Sequence, residues 1–257
     1  MRAFIILSLI CLAAAKRQRI VGGSEVSIED FPWQMSLRTS NSATSLNCGA
    51  VLVGATKAFT AAHCVGTANV YLLAGVTDRT QIPAVGSEGY RLTTSITRHP
   101  DFVNSGAVGY PNDVATMYWA DAMAETGTNI VYAPIAEADD GDFSGAECAL
   151  SGWGRLTGSG ILPTILNAAD TSAITNAACA ADHWSPAQIN DGHICFFTGT
   201  TGACNGDSGG PAQCKRAGED DWTVVGLTSW GRSGCLTDFA SVYGRISYFR
   251  DWFDAKI

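Results

Sequence analysis

Short apolar or alternating stretches dominate the chain: Cys48–Val53, Lys57–Ala62, Val70–Ala74, Tyr90–Thr97, Val114–Trp119, Glu147–Gly152 and Trp222–Trp230. Gly, Asn, Asp, Ser and Pro bound them, and strand-length runs at such spacing predict an all-β sandwich or barrel. The 28 glycines fit a closed or strongly coiled sheet, where turns and bulges recur. Only the C-terminus reads as helix. There Tyr248, Phe249, Trp252 and Phe253 recur at helical spacing, Ser247 stands as the expected N-cap, and Arg250, Asp251 and Asp254 form the polar side. From Ile20 onward no repeat, charge block or long Pro- or Ser-rich linker divides the chain, so it reads as one folded unit. Its 257 residues, 46% of them hydrophobic, are enough to bury a real core.

The first residues follow a different pattern. Arg2, an apolar run from Phe4 to Ala15, and the small residues Ala13-Ala14-Ala15 have the order of a secretory signal over residues 1–15. That run is too short for a membrane span, and no later stretch is longer. Lys16-Arg17-Gln18-Arg19 follows, then Ile20-Val21-Gly22-Gly23, which reads as a propeptide over 16–19 with a trypsin-type cleavage site after Arg19. Lys+Arg 16 against Asp+Glu 24 gives a formal charge of −8. Loss of residues 1–19 removes four cations (Arg2, Lys16, Arg17, Arg19) and no anion, leaving 12 against 24, or −12. That balance opposes a nucleic-acid or anionic-membrane role, which would need a basic face.

The sharpest chemical signal is Gly206-Asp207-Ser208-Gly209-Gly210-Pro211. A serine between glycines can sit on a tight turn with its oxygen exposed and backbone N–H groups aimed at one spot, as acyl transfer requires. The segment also matches the G-x-S-x-G elbow of α/β-hydrolases, but that order needs a histidine after the serine. His63, His99, His183 and His193 all precede Ser208, which excludes the elbow. The best upstream base is His63 in Thr60-Ala61-Ala62-His63-Cys64, and Asp113, a carboxylate in the otherwise apolar strand read in Asn112-Asp113-Val114-Ala115-Thr116-Met117, is the best orienting acid. The order His63, Asp113, Ser208 is one in which such a triad is built.

These segments, with Pro32-Trp33-Gln34, Gly152-Trp153-Gly154, Ser229-Trp230-Gly231 and Val242-Tyr243, give a chain from Ile20 onward that resembles the chymotrypsin-like serine endopeptidases in their secreted zymogen form. The resemblance implies a peptidase domain over 20–257: two six-stranded antiparallel β-barrels, the active site between them, and a C-terminal α-helix. It implies Ser208 as nucleophile, His63 as base, Asp113 as the group that fixes the imidazole, and the backbone N–H groups of Gly206 and Ser208 as oxyanion hole. Ser229 would support Asp113, and Ser229 to Gly231 would pair with substrate. Cleavage after Arg19 would free an Ile20 ammonium to pair with Asp207. Cys48–Cys64, Cys148–Cys214, Cys179–Cys195 and Cys204–Cys235 would be disulfides, and the odd ninth cysteine, Cys11, would leave with the signal.

By the same resemblance the specificity pocket has Gly202 as its floor and Gly231 and Ser241 on its walls, next to Trp230, with no carboxylate to hold a cationic side chain. Large or medium apolar residues are then the expected preference. No cofactor and no metal is expected. Zinc is disfavoured by the absence of a close C-x-x-C pair, and calcium by Val76, which stands where many relatives begin their calcium loop with glutamate. The expected partners are polypeptide substrates, an activating trypsin-like protease and protein protease inhibitors, with no nucleic acid and no membrane. A secreted, extracellular, monomeric digestive enzyme is the leading reading. The alternatives are a catalytically silent homologue acting as a binding protein, and a protease of a cascade or a venom.

Overall fold

The computed structural model describes residues 20–256. The expected signal peptide, the propeptide with Arg19, and Cys11 lie outside the described residues. Among the described residues fourteen short strands form two antiparallel sheets: β1 (Ser24–Glu25), β2 (Gln34–Arg38), β3 (Cys48–Gly54), β4 (Lys57–Thr60), β5 (Tyr71–Leu73), β6 (Tyr90–Leu92), β7 (Ser95–Arg98), β8 (Ala115–Tyr118), β9 (Glu147–Gly152), β10 (Asn167–Ile174), β11 (His193–Phe196), β12 (Pro211–Lys215), β13 (Trp222–Trp230) and β14 (Ser241–Arg245).

The C-terminal sheet runs β1-β10-β11-β14-β13-β12-β9, and β9 pairs back onto β10, so six of its strands form a closed barrel with β1 appended. The N-terminal sheet runs β6-β5-β2-β3-β4-β8-β7 and is a curled half-barrel. Its two outer strands are consecutive in the chain. Between them, the Thr93 N–H donates to Val70 O and the Thr94 N–H to Tyr118 O, so one bent segment serves both edges and no ladder joins β6 to β7. Full closure removes strand edges, and here a bend in the chain does part of that work.

Eight strands match the seven apolar stretches read from the sequence: Tyr90–Thr97 becomes the pair β6 and β7, and β3 and β7 each run one residue past their stretch. The sequence pattern did not mark β1, β2, β10, β11, β12 or β14. β10 (NAADTSAI) carries mostly small and polar residues, yet its first three are buried, where β9 pairs along one edge and β1 along the other. A short helix α1 (Asn176–Ala178) continues as one wider turn over Cys179–His183.

The C-terminal helix α2 spans Arg250–Asp254, and its N-cap is Phe249, with no side-chain cap. Ser247 is not the cap: it is buried in the preceding turn, where its carbonyl accepts from the Arg250 N–H. Phe253 stacks on Phe59 of β4 at 3.8 Å, and Lys57 Nζ donates to its carbonyl at 2.9 Å, so the end of the chain clamps onto the N-terminal half. One hydrophobic cluster runs through both sheets, from Met35, Leu52 and Phe59 to Val224, Leu227 and Tyr243. Between them the buried Ser151 hydroxyl donates to Gln34 Oε1 at 2.8 Å. The described cysteines pair as Cys48–Cys64, Cys148–Cys214, Cys179–Cys195 and Cys204–Cys235.

Candidate active site

His63 sits in a single tight turn, Ala62–Cys64, directly after β4. The buried Ala61 and Ala62 let this turn lie close to the core, and the Cys64–Cys48 disulfide ties it to β3. Asp113 immediately precedes Val114 and β8, and its side chain is 1% exposed. A carboxylate so buried is tolerable only if hydrogen bonds replace its water. Three do. Oδ1 accepts from the His63 backbone N–H at 2.8 Å, and Oδ2 is 2.6 Å from His63 Nδ1 and accepts from the Ser229 hydroxyl at 2.5 Å. With Nδ1–H donated to Asp113, the other ring nitrogen, Nε2, carries the lone pair.

Ser208 lies in the other half of the molecule, on the loop joining Cys204 to β12. Its carbonyl accepts from Gly49 N–H at 2.7 Å, and Gly209 N–H donates to Thr228 O at 2.7 Å, so β3 and β13 both hold the turn. Gly209 has φ +75°, and a Cβ there would fall 2.0 Å from Thr60 Oγ1. Only glycine allows this approach of the loop to β4. The N–H groups of Asp207, Gly209 and Gly210 are used within the protein. Among the described residues those of Gly206 and Ser208 are not, leaving two donors that flank one turn.

Ser208 and His63 line the same cavity of about 460 Å³. His63 Nε2 lies 3.8 Å from the Cys64 sulfur, and no hydrogen bond joins it to Ser208 among the described residues. Such contacts are often long before substrate is bound. The cavity continues along Thr228, Ser229, Trp230 and Gly231. β12 begins at Pro211 opposite Leu227, and so the edge of β13 beyond Thr228 has no strand beside it. Gly202 and Ser241 lie beneath Ala203, which lines the cavity: Ala203 N–H donates to Ser241 Oγ at 3.2 Å, and a Cβ on Gly202 would meet that oxygen at 3.3 Å. Sequence reasoning missed Asn104, Tyr110, Asn205 and Arg232 as lining residues, because they come from loops whose positions no periodicity encodes.

Asp207 points away from the cavity and is fully enclosed. Its Oδ1 accepts from Gly154 N–H at 2.7 Å and its Oδ2 from Cys204 N–H at 2.9 Å. Burial dominates these bonds and pushes its carboxyl up to about 7. At the start of the described chain Ile20 is buried, and Gly202 N–H donates to Val21 O at 3.2 Å.

A sequence model of the Trypsin family matches residues 20–253. The chain belongs to the trypsin family. This trypsin-family protein is 36% identical over 244 residues to the fibrinolytic enzyme isozyme C of Lumbricus rubellus, covering 91% of this chain and 98% of that one. It is 34% identical over 258 residues to a chymotrypsin-like serine proteinase of Haliotis rufescens (95% and 96% covered), and 32% identical over 247 residues to proproteinase E of Bos taurus (93% and 95% covered). It is a chymotrypsin-like serine endopeptidase acting on polypeptides. Among the described residues no helix is long and apolar enough to cross a membrane.

Proposed function

We propose that this trypsin-family protease cleaves after large or medium apolar residues by way of Ser208, His63 and Asp113, and that it is made as a secreted digestive precursor activated after Arg19. The observation that carries the catalytic reading is the hydrogen-bonded series Ser229–Asp113–His63 opening onto the cavity that Ser208 also lines. His63 Nε2 takes the Ser208 proton as the oxygen attacks the scissile carbonyl, while Asp113 stabilises the resulting imidazolium. The free N–H groups of Gly206 and Ser208 receive the developing oxyanion. The imidazolium returns its proton to the leaving amine, and a water activated by the same nitrogen then releases the acid product and regenerates Ser208.

The apolar preference rests on the lining. Among the described residues no carboxylate lines the cavity, and the polar group under its floor, Ser241 Oγ, already accepts from Ala203. A buried lysine or arginine side chain would lose its water and gain no counter-charge, which costs several kcal/mol. Activation rests on Asp207. A buried carboxylate with no cation beside it among the described residues gains a partner once Ile20 becomes an ammonium, and the pair forms next to the oxyanion turn. Four disulfides fit an oxidising, extracellular destination.

Peptide substrates identical except at the residue before the cleaved bond test the specificity. On the chain processed after Arg19, Phe, Tyr, Leu and Met peptides are expected to exceed the Arg peptide in kcat/KM by about 100-fold or more, the penalty of an unpaired buried charge. Efficient cleavage of the Arg peptide with none of the Phe or Leu peptide overturns it.

A further inference from the structure

Apart from His63, a single ionisable group of full charge at neutral pH lines the cavity among the described residues. Arg232 follows Trp230 and Gly231 at the rim and is exposed. Its guanidinium lies 4.6 Å from the centroid of the Phe239 ring, which holds the plane of the group without using its N–H donors. Among the described residues Arg232 makes no ion pair, although acidic side chains outnumber basic ones across the protein. An unpaired arginine held flat against an aromatic ring, at the edge of a cleft with no carboxylate, is a preset receptor for an anion.

The strand geometry says where on the substrate that anion belongs. Gly209 N–H donates to Thr228 O, so Ser208 stands beside the first open position of β13, and an extended antiparallel peptide attacked there would set P1 opposite Ser229, P2 opposite Trp230 and, past the end of the strand, P3 opposite Gly231 and P4 opposite Arg232. Residues directly opposite in an antiparallel pair project from the same face. We infer that Arg232 is a specificity-determining residue that selects an aspartate or glutamate at P4, three residues before the apolar P1 residue. This inference rests on the proposed cleavage by Ser208 after an apolar P1 residue. It adds a charged requirement far from the scissile bond to a pocket that is itself uncharged. An exposed arginine–carboxylate pair is worth up to about 1 kcal/mol, or roughly fivefold in kcat/KM.

The test uses peptides with a fixed apolar P1 residue that differ only at P4, as Glu, Gln or Lys, cleaved by the processed chain and by its Arg232→Gln and Arg232→Glu variants. The parent should prefer Glu over Gln by about two- to fivefold at low salt, with the ratio falling as salt is added. Arg232→Gln should bring the ratio to about one, and Arg232→Glu should reverse the order in favour of Lys. That reversal is a readout that mere loss of packing on Phe239 would not produce. A parent ratio of one, or a charge preference that survives Arg232→Glu unchanged, overturns the role of Arg232 while leaving the apolar reading intact. Failure of every apolar-P1 peptide with the parent would instead overturn the underlying reading.

Discussion

The triad candidates were legible as residues because each carries a local oddity: a serine among glycines, a histidine beside a cysteine, a carboxylate leading into an apolar strand. Asp207 shows what the sequence withheld. Its burial between Gly154 and Cys204 is a tertiary fact, although the motif Gly152-Trp153-Gly154 was visible: a Cβ on Gly154 would fall 2.3 Å from the Asp207 carboxyl carbon, so the glycine makes room for the acid. The carboxyl of Asp207 is raised from 3.8 to about 7 in the folded chain. The folded state therefore binds more protons than the unfolded state, and this group's contribution to stability falls as pH rises from about 4 through 7. Asp207→Asn in the uncleaved chain, held uncleaved by Arg19→Gln, should remove that loss. Its stability relative to the parent, read by urea unfolding, should rise between pH 4 and 7 by roughly 4 kcal/mol at most and then level off. A difference that stays flat with pH would contradict an unpaired, buried Asp207. His193 works in the opposite sense: burial lowers its imidazole to about 4, so the stability tied to its neutral form is lost as pH falls from 6.5 through 4. Both parent and variant keep His193, and its effect cancels in the comparison.

At the scale of elements, the strands read correctly were those with long apolar runs, and those missed were built of small or polar residues. β10 shows why: its fit depends on β9 and β11 pairing on either side, which no local pattern states. The helix was recognised by its aromatic stripe, but its start was placed too early, because Ser247 is engaged in the preceding turn and the cap falls at Phe249. The turn from Cys204 to Gly210 is the element on which the proposed mechanism depends most. It is fixed by Gly49, Thr60 and Thr228 from both halves and by the Cys204–Cys235 disulfide. Gly209→Ala would set a methyl into Thr60 and Gly49 at a backbone angle that favours glycine. The turn would have to shift, and a displacement near 1 Å at a reacting centre lowers kcat/KM by about 100-fold. Comparing kcat/KM with thermal midpoint checks this; a variant with parental activity would show that the close approach does not position Ser208.

At the scale of the molecule, the barrel prediction took the form of one closed six-strand barrel and one half-barrel bent around Thr93 and Thr94. The two halves bring distinct parts to one cleft. The N-terminal half supplies His63 and Asp113, the C-terminal half supplies Ser208, Ser229 and the open edge of β13, and Ser229 to Asp113 is the bond that crosses between them. The acidic balance, legible from composition, does not describe this cleft, whose fixed charge is the single cation Arg232. The switch proposed for Ile20 and Asp207 joins the chain's start to the oxyanion turn, so activity should depend on cleavage rather than on folding alone.

The most direct test of the account is the rate at which a fluorophosphonate labels the protein, with the modified residue located by mass spectrometry, in the chain processed after Arg19 and in its uncleaved Arg19→Gln form. The account predicts one label per molecule on Ser208 in the processed chain and labelling slower by about 100-fold or more in the uncleaved one, as expected when oxyanion donors are not yet in place. No labelling after processing would contradict Ser208 as an activated nucleophile, and equal rates in the two forms would contradict activation at Ile20.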